Sequence, residues 1–378
     1  MKTISGKALN IRAEYVGRVS TRVHIIKSHN CVVLAEKMPK FAPTSSIYIL
    51  PDDNKNDSLC NDNKSIVYID HLSFKELNEG DIIKIGTNGI ISVIWEESSS
   101  DNLIFTTDFC NSACIMCPQV PEGKPYSYYK QNIRMVELIK DTTKLKSVGI
   151  TGGEPTIFKD ELIQILKLCF SKFPSIYITM LTNGKNFDDF DFAKQCALAN
   201  PNIKYCIPLY AASSEKHDYI VGTKGSFIRT INGIYNLIRL KRPIEIRVVI
   251  MKNNYKDLPL IADYIFHNMP FVTHVVLMGM EISGIARKNF SDIWIDPIDY
   301  RFFLRQAGLE LKRYNIPFSI YNIPRCLLLK ELWGYDRDSI SSWKKSYLPQ
   351  CKNCREKENC CGIFTTSMTQ SESITPIY

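Results

Sequence analysis

Two rhythms of apolar and polar positions run along this chain of 378 residues, and they change over near residue 100. Before that point lie short apolar runs, SIYIL, SIVYID, DIIKIG and GIISVIW, separated by turn-forming stretches such as DDNKNDSLCNDNK and NEGD. Short β-branched runs bounded by Asn, Asp and Gly read as strands. Residues 1–98 are therefore expected to form a small β-rich domain, with the polar SSSD (Ser98 to Asp101) as a boundary. From Leu103 the rhythm becomes strand then helix. Six β-like runs follow: Leu103 to Thr107, Ser147 to Thr151, Ile176 to Thr182, Lys204 to Tyr210, Ile244 to Met251 and His274 to Gly279. Between them, segments such as DELIQILKLCF and LPLIADYIFHN carry apolar residues at helical spacing. The alternation implies an α/β fold with parallel strands and right-handed crossovers. Six repeats are too few to close an eight-stranded barrel. After about Asp296 come one more helical stretch, the strand-like FSIYN and a cysteine-rich segment to residue 364. The Ser/Thr-rich tail, 365–378, is expected to be disordered.

Composition narrows the class. Apolar content of 45% and charged content of 23% are those of an ordinary globular protein. No apolar run reaches the length of a membrane span, and MKTISGKALNIRAEY has no apolar signal-peptide core. A cytoplasmic protein without membrane partners is expected. In that compartment thirteen cysteines point to metal ligation rather than disulfides. The net charge of +8 is spread out, apart from Arg239, Lys241 and Arg242. That cluster reads as a solvated helix end, and no nucleic-acid motif accompanies it.

The chemistry is signalled by CNSACIMC, which places Cys110, Cys114 and Cys117 just after the first run of the strand–helix region. A structural zinc or a closed iron–sulfur cluster takes four protein ligands. Three thiolates can hold a cubane and leave one iron open, and an open metal position marks a site that binds and transforms something. Half a zinc site, or plain core thiols, are the competing readings. A second motif, VGITGGEPTIF, sets Gly152, Gly153, Glu154 and Pro155 at the end of the next predicted strand. Glycines let backbone approach a ligand closely, and a carboxylate there can accept from an ammonium group. Alone, this segment would be an ordinary turn.

The C-x3-C-x2-C spacing, followed by the GGEP segment, resembles the radical S-adenosylmethionine (SAM) enzymes. That resemblance implies a partial (β/α)6 TIM-type barrel over residues 102–295. It implies a [4Fe–4S] cluster on Cys110, Cys114 and Cys117 whose open iron chelates SAM, and a GGEP segment that binds the SAM amino group. One electron then cleaves SAM, and a 5′-deoxyadenosyl radical abstracts hydrogen from the substrate. A flavodoxin- or ferredoxin-type protein would donate the electron. Other strand ends could line the SAM pocket: Thr182 and Asn183 in MLTNG, Arg247 in RVVIMKNN, and Met280 and Glu281 in VLMGMEISG. A loop turn or a structural salt bridge serves each of these equally well. His217, in HDYIVGTKGSF, could face the substrate, although a buried histidine at a helix end is the plainer role.

A second constellation comprises Cys326, Cys351, Cys354, Cys360 and Cys361. Its C-x2-C-x5-C core resembles the first half of the auxiliary-cluster (SPASM/twitch-like) domains of peptide-modifying radical SAM enzymes. One auxiliary cluster on Cys326, Cys351, Cys354 and Cys360 is expected in a cap spanning 296–364. A four-cysteine zinc site uses the same residues. The x5 spacing favours Cys360 over Cys361. Cys31, Cys60, Cys169, Cys196 and Cys206 lack ligand spacing. The segments CIPLYAA, EIRVVI, LMGMEISGIAR, IWIDPIDYR and SISSWKK resemble the maturases of the His-Xaa-Ser system, HxsC type. This implies a small precursor peptide with His-Xaa-Ser repeats as substrate and a second radical SAM maturase as partner. Two other classes stay open: a radical SAM enzyme acting on a small molecule, and a non-enzymatic metal-binding scaffold for a partner maturase.

Overall fold

The computed structural model describes residues 2–22, 31–40, 43–56, 64–121, 123–367 and 371–378. Cys60 and much of the polar stretch around it lie outside the described residues. The chain divides into two compact units: residues 1–106, 127–151 and 160–178 make the first, and residues 107–126, 152–159 and 179–378 the second.

The first unit opens with eight strands: β1 (Lys2–Ile4), β2 (Gly6–Leu9), β3 (Tyr15–Ser20), β4 (Cys31–Leu34), β5 (Ile47–Pro51), β6 (Ser65–Ile69), β7 (Ile82–Ile85) and β8 (Ile91–Trp95). They form one mixed sheet in the order β1-β8-β7-β3-β4-β5-β6-β2. The run β3-β4-β5-β6 is parallel. The apolar runs here are nearly continuous because both faces of the sheet are buried. Val32, Ile49 and Val67 enter one apolar cluster, while their neighbours Val33, Tyr48 and Ile66 enter another. The same unit holds the parallel pair β9 (Asp101–Phe105) and β10 (Ser147–Thr151), in register from Ser147 opposite Asp101 to Thr151 opposite Phe105.

β11 (Tyr177–Leu181) is shared, its first two residues falling in the first unit and the rest in the second. The second unit continues with β12 (Ile203–Pro208), β13 (Ile244–Val249), β14 (His274–Met278), β15 (Phe318–Tyr321) and β16 (Asp336–Arg337), adjacent in chain order and parallel from β12 onward. Helices 190–199, 226–239, 258–268 and 297–313 form the crossovers. Strand alternation sorts the side chains. Ile244, Ile246 and Val248 are fully buried on one face of β13, and Glu245 and Arg247 take the other. The fold is α/β with a parallel half-barrel sheet.

Two expectations need correction. The FSIYN run does not belong to a separate cap. It follows the 17-residue helix Pro297–Arg313 and becomes β15, parallel to β14, so the β/α rhythm runs past the six predicted strands. The tail is not uniformly disordered. Ile374 is buried, and the N–H of Arg355 donates to the carbonyl of Ile377 at 2.9 Å. Two isoleucines in this polar stretch have apolar surroundings to join, which its Ser/Thr content concealed. A short antiparallel pair, β17 (Lys345–Ser346) and β18 (Ile363–Phe364), frames the cysteine-rich segment.

Candidate active site

The loop carrying Cys110, Cys114 and Cys117 is held by main-chain bonds along its whole length. Gly153 N donates to Thr107 O at 2.6 Å, and Glu154 N donates to Phe109 O at 2.9 Å. A Cβ on Gly153 would lie 2.2 Å from the Phe109 carbonyl oxygen, so no other residue permits this approach. Further along, Ala113 N and Ile115 N donate to Val221 O and Ile220 O, both at 3.0 Å. Ile285 N and Ala286 N then converge on Cys117 O at 2.9 and 3.1 Å. The GGEP segment, the helix end after β12 and the short helix Gly284–Lys288 after β14 thus each grip part of the loop.

All three thiols are free and partly buried. Burial raises the Cys110 and Cys117 thiols, and burial together with Cys110 and Cys117 pushes Cys114 up to about 12. Burial, with the same three sulfurs in reach, also raises the Tyr210 hydroxyl well above its usual range. Around them lie Met116, Tyr210, Met280 and Ile282, in an apolar cluster that Cys114 and Ile115 join. Among the described residues, no three His, Cys, Asp or Glu side chains converge as a single metal ion requires. The donor set, three thiols in an apolar surround, is of the soft kind that suits iron–sulfur ligation. Bound metal would deprotonate these thiols despite their burial.

Glu154 is fully buried. Its Oε1 accepts from Thr156 N (3.1 Å), Thr156 Oγ1 (2.6 Å) and Thr182 Oγ1 (2.7 Å), and its Oε2 accepts from Asn183 N (2.7 Å). A carboxylate has about four lone-pair positions, two on each oxygen; Oε1 is crowded by three donors, while Oε2 takes one and keeps a position open among the described residues. An ammonium group arriving here would find that open position on Oε2. Asn183 also donates through Nδ2 to Asn111 Oδ1 at 2.7 Å. Lys185 is buried, and its Nζ donates to Asn111 O at 2.7 Å. Burial lowers its pKa, while Cys110, Cys114 and Glu154 act to raise it.

The remaining expected site residues are placed as follows. Gly152 adjoins the Gly153 contact at the end of β10. Met280 belongs to the apolar cluster beside the cysteine loop. It also lines a pocket with Tyr300, Asn322 and Ile363. Arg247 is engaged elsewhere: its Nε donates to Glu245 Oε1 at 2.8 Å, and Lys204 Nζ takes Oε2 at 2.8 Å. Burial raises the Glu245 carboxyl, but Arg247 and Lys204 outweigh it and bring the pKa down to about 2. Glu281 pairs with Lys344 at 3.0 Å and accepts from Thr366 Oγ1 at 2.5 Å. His217 is buried between the rings of Tyr210 and Phe227, its Nδ1 accepting from Tyr210 N at 3.3 Å. Burial lowers its pKa to about 4, so the ring is neutral near pH 7.

The second constellation also assembles. Cys326, Cys351, Cys354 and Cys360 line one pocket, together with Tyr347, Ile374, Thr375 and Ile377. Cys354 Sγ accepts the backbone N–H of Ile377 at 3.4 Å. The Cys361 thiol, with backbone donors, lowers Cys360 to about 6 against the opposing effect of burial. Cys361 is buried, its own pKa is raised and it turns toward Gly362 O, so it stays out of the cavity.

Comparison with known proteins bears on the half-barrel. Residues 104–265 match the family described as the Radical SAM superfamily. The matched stretch contains both the three-cysteine loop and the GGEP segment. Members of this superfamily are enzymes, and they use a [4Fe–4S] cluster and SAM. A probable GTP 3′,8-cyclase of Saccharolobus islandicus is 30% identical over 162 residues, covering 42% of this chain and 50% of that protein. The sporulation killing factor maturation protein SkfB of Bacillus subtilis is 24% identical over 198 residues, covering 50% and 45%. The chain thus spans about half the length of these curated relatives. The crystal structure of Streptococcus suis SuiB bound to precursor peptide SuiA aligns at TM-score 0.48 and 17% identity, covering 59% of this chain and 49% of that one.

Sequence reasoning missed Lys185, Asn111 and Tyr210 around the three-cysteine loop, and Ile374 and Ile377 beside the four-cysteine pocket. Only Lys185 left a signal, as a charged residue directly after the strand-end TNG. No helix among the described residues is long and apolar enough to cross a membrane.

Proposed function

We propose that this protein is a radical SAM enzyme that reductively cleaves SAM and modifies a ribosomally made peptide, of the His-Xaa-Ser precursor type, by hydrogen abstraction. The observation that carries the reading is the hydrogen-bonded union of the three-cysteine loop with the GGEP segment. Cys110, Cys114 and Cys117 would hold a [4Fe–4S] cluster, which supplies the electron for SAM cleavage. The chain's own residues fix the loop, surround it with Met116, Tyr210 and Met280, and exclude water. Backbone groups at Gly152 and Gly153, with Glu154, Thr182 and Asn183 behind them, would form the wall nearest SAM. The four-cysteine cavity is assigned one auxiliary iron–sulfur cluster. A flavodoxin- or ferredoxin-type donor and a second radical SAM maturase belong to the same proposal.

The peptide assignment draws on the maturation protein SkfB among the relatives and on the auxiliary constellation. The deciding assay measures 5′-deoxyadenosine release from SAM under reductant. A precursor peptide with His-Xaa-Ser repeats should accelerate release and gain a mass change; no acceleration would overturn the peptide assignment. A second reading, a small-molecule substrate, is favoured by the 30% identity to a GTP cyclase. GTP in place of peptide tests it in the same assay.

A further inference from the structure

Lys185 follows β11 and is 2% exposed, although it carries an ammonium group. Its Nζ makes one hydrogen bond, to the carbonyl of Asn111 inside the cysteine loop. Among the described residues, no carboxylate pairs with it. The Glu154 carboxylate forms no ion pair with it, and its charge reaches Lys185 only at longer range. A buried ammonium held by a single neutral acceptor is costly, because desolvation is repaid only by an opposite charge close by. Lysines are almost never fully buried without one. The acceptor lies one residue from Cys110, so the missing anion has an evident position.

We propose that Lys185 is the counter-ion of the cluster held by Cys110, Cys114 and Cys117. This rests on the radical SAM reading above. A cubane with three thiolates is anionic, and reduction adds one more negative charge. A fixed cation in a poorly solvated site therefore favours the reduced state and raises the reduction potential, since net charge is among the quantities that set it. The same charge offsets mutual repulsion among the three thiolates. Lys185 is thus a positioning residue with two effects. Its hydrogen bond fixes the loop, and its charge makes the cluster easier to reduce.

The test uses the full chain, reconstituted anaerobically, as wild type, Lys185→Met, Lys185→Gln and Lys185→Arg. The cluster of interest is identified by its SAM-responsive paramagnetic signal, and its midpoint potential and the iron content are measured. Gln can still donate to Asn111 O but has no charge; Arg keeps the charge. In Met and Gln variants, the reduced-to-oxidised ratio at a fixed solution potential should fall about tenfold, or 59 mV for one electron. The Arg variant should remain near wild type. A Gln variant with full iron content and wild-type midpoint overturns the proposal, and serves even where Met prevents cluster uptake. A normal midpoint with weakened SAM binding also overturns it, placing Lys185 on the SAM carboxylate instead. Wild-type protein with no SAM-responsive cluster would overturn the radical SAM reading itself.

Discussion

Thr182 donates its hydroxyl to Oε1 of Glu154 at 2.7 Å, and that carboxylate is fully buried. The bond ties the residue after β11 to the GGEP segment, and Asn183 N adds a second tie at Oε2. Glu154→Gln keeps the shape but puts an NH₂ where a donor now points. Hydrogen bonds to charged groups contribute roughly 1.5–3 kcal/mol, and a buried unmet donor costs a similar amount. The variant should lose about 2 kcal/mol or more of stability, unfolding at a lower temperature, and bind SAM more weakly. Thermal denaturation of the metal-free protein checks the first and titration of reconstituted protein the second. An unchanged melting temperature would show that the four bonds contribute little.

Replacing Cys110, Cys114 and Cys117 together by Ala should abolish SAM cleavage and cut iron content by about half, if both sites hold cubanes. The cavity of Cys326, Cys351, Cys354 and Cys360 shares no residue with that loop. Residual 5′-deoxyadenosine release under reductant would refute the open-cluster assignment.

The adjacent pair Cys360 and Cys361 separates by geometry. With the three loop cysteines replaced, Cys361→Ala should retain an iron–sulfur absorption band that bleaches with dithionite. Cys360→Ala should lose it. Stoichiometric zinc in a colourless protein would instead make the site structural, since zinc has no redox chemistry.

His217 gives a pH dependence. Burial holds its pKa at about 4 in the fold, against the ordinary histidine value of 6.5, so the native state favours the neutral ring. Its contribution is whole above pH 6.5 and is lost as pH falls from there toward 4. Linkage makes the difference on the order of 3 kcal/mol. His217→Gln supplies an acceptor for Tyr210 N and does not titrate. Its melting temperature should therefore fall less between pH 7 and pH 4.5 than that of wild type. Parallel profiles would mean that His217 is not the titrating group.

The half-barrel strands were readable because their apolar residues recur in runs such as Ile244, Ile246 and Val248, with helical spacing between runs. The thiol trio was readable because its spacing lies within one loop. What stayed hidden involves residues brought together from afar. Glu154 looked like a ligand carboxylate, but its partners at Thr182 and Asn183 lie 28 and 29 positions away. Arg247 looked available, but its partner Glu245 sits two residues earlier on the same face of β13. Sequence patterns report which residues carry a charge, and the fold decides which charges are already spent on each other.

The manner in which the cysteine loop is gripped sets what kinds of change it can survive. Its partners at Thr107, Phe109, Ala113, Ile115 and Cys117 are main-chain atoms, which every residue type but proline can supply in full. Single substitutions at Ser112 or Ile115 would leave these bonds in place. Inserting or deleting one residue between Thr107 and Cys117 would put the successive anchors out of step together. The segment is therefore tolerant of spelling and intolerant of length. A ruler of this kind would keep the three sulfurs in place while the letters around them drift.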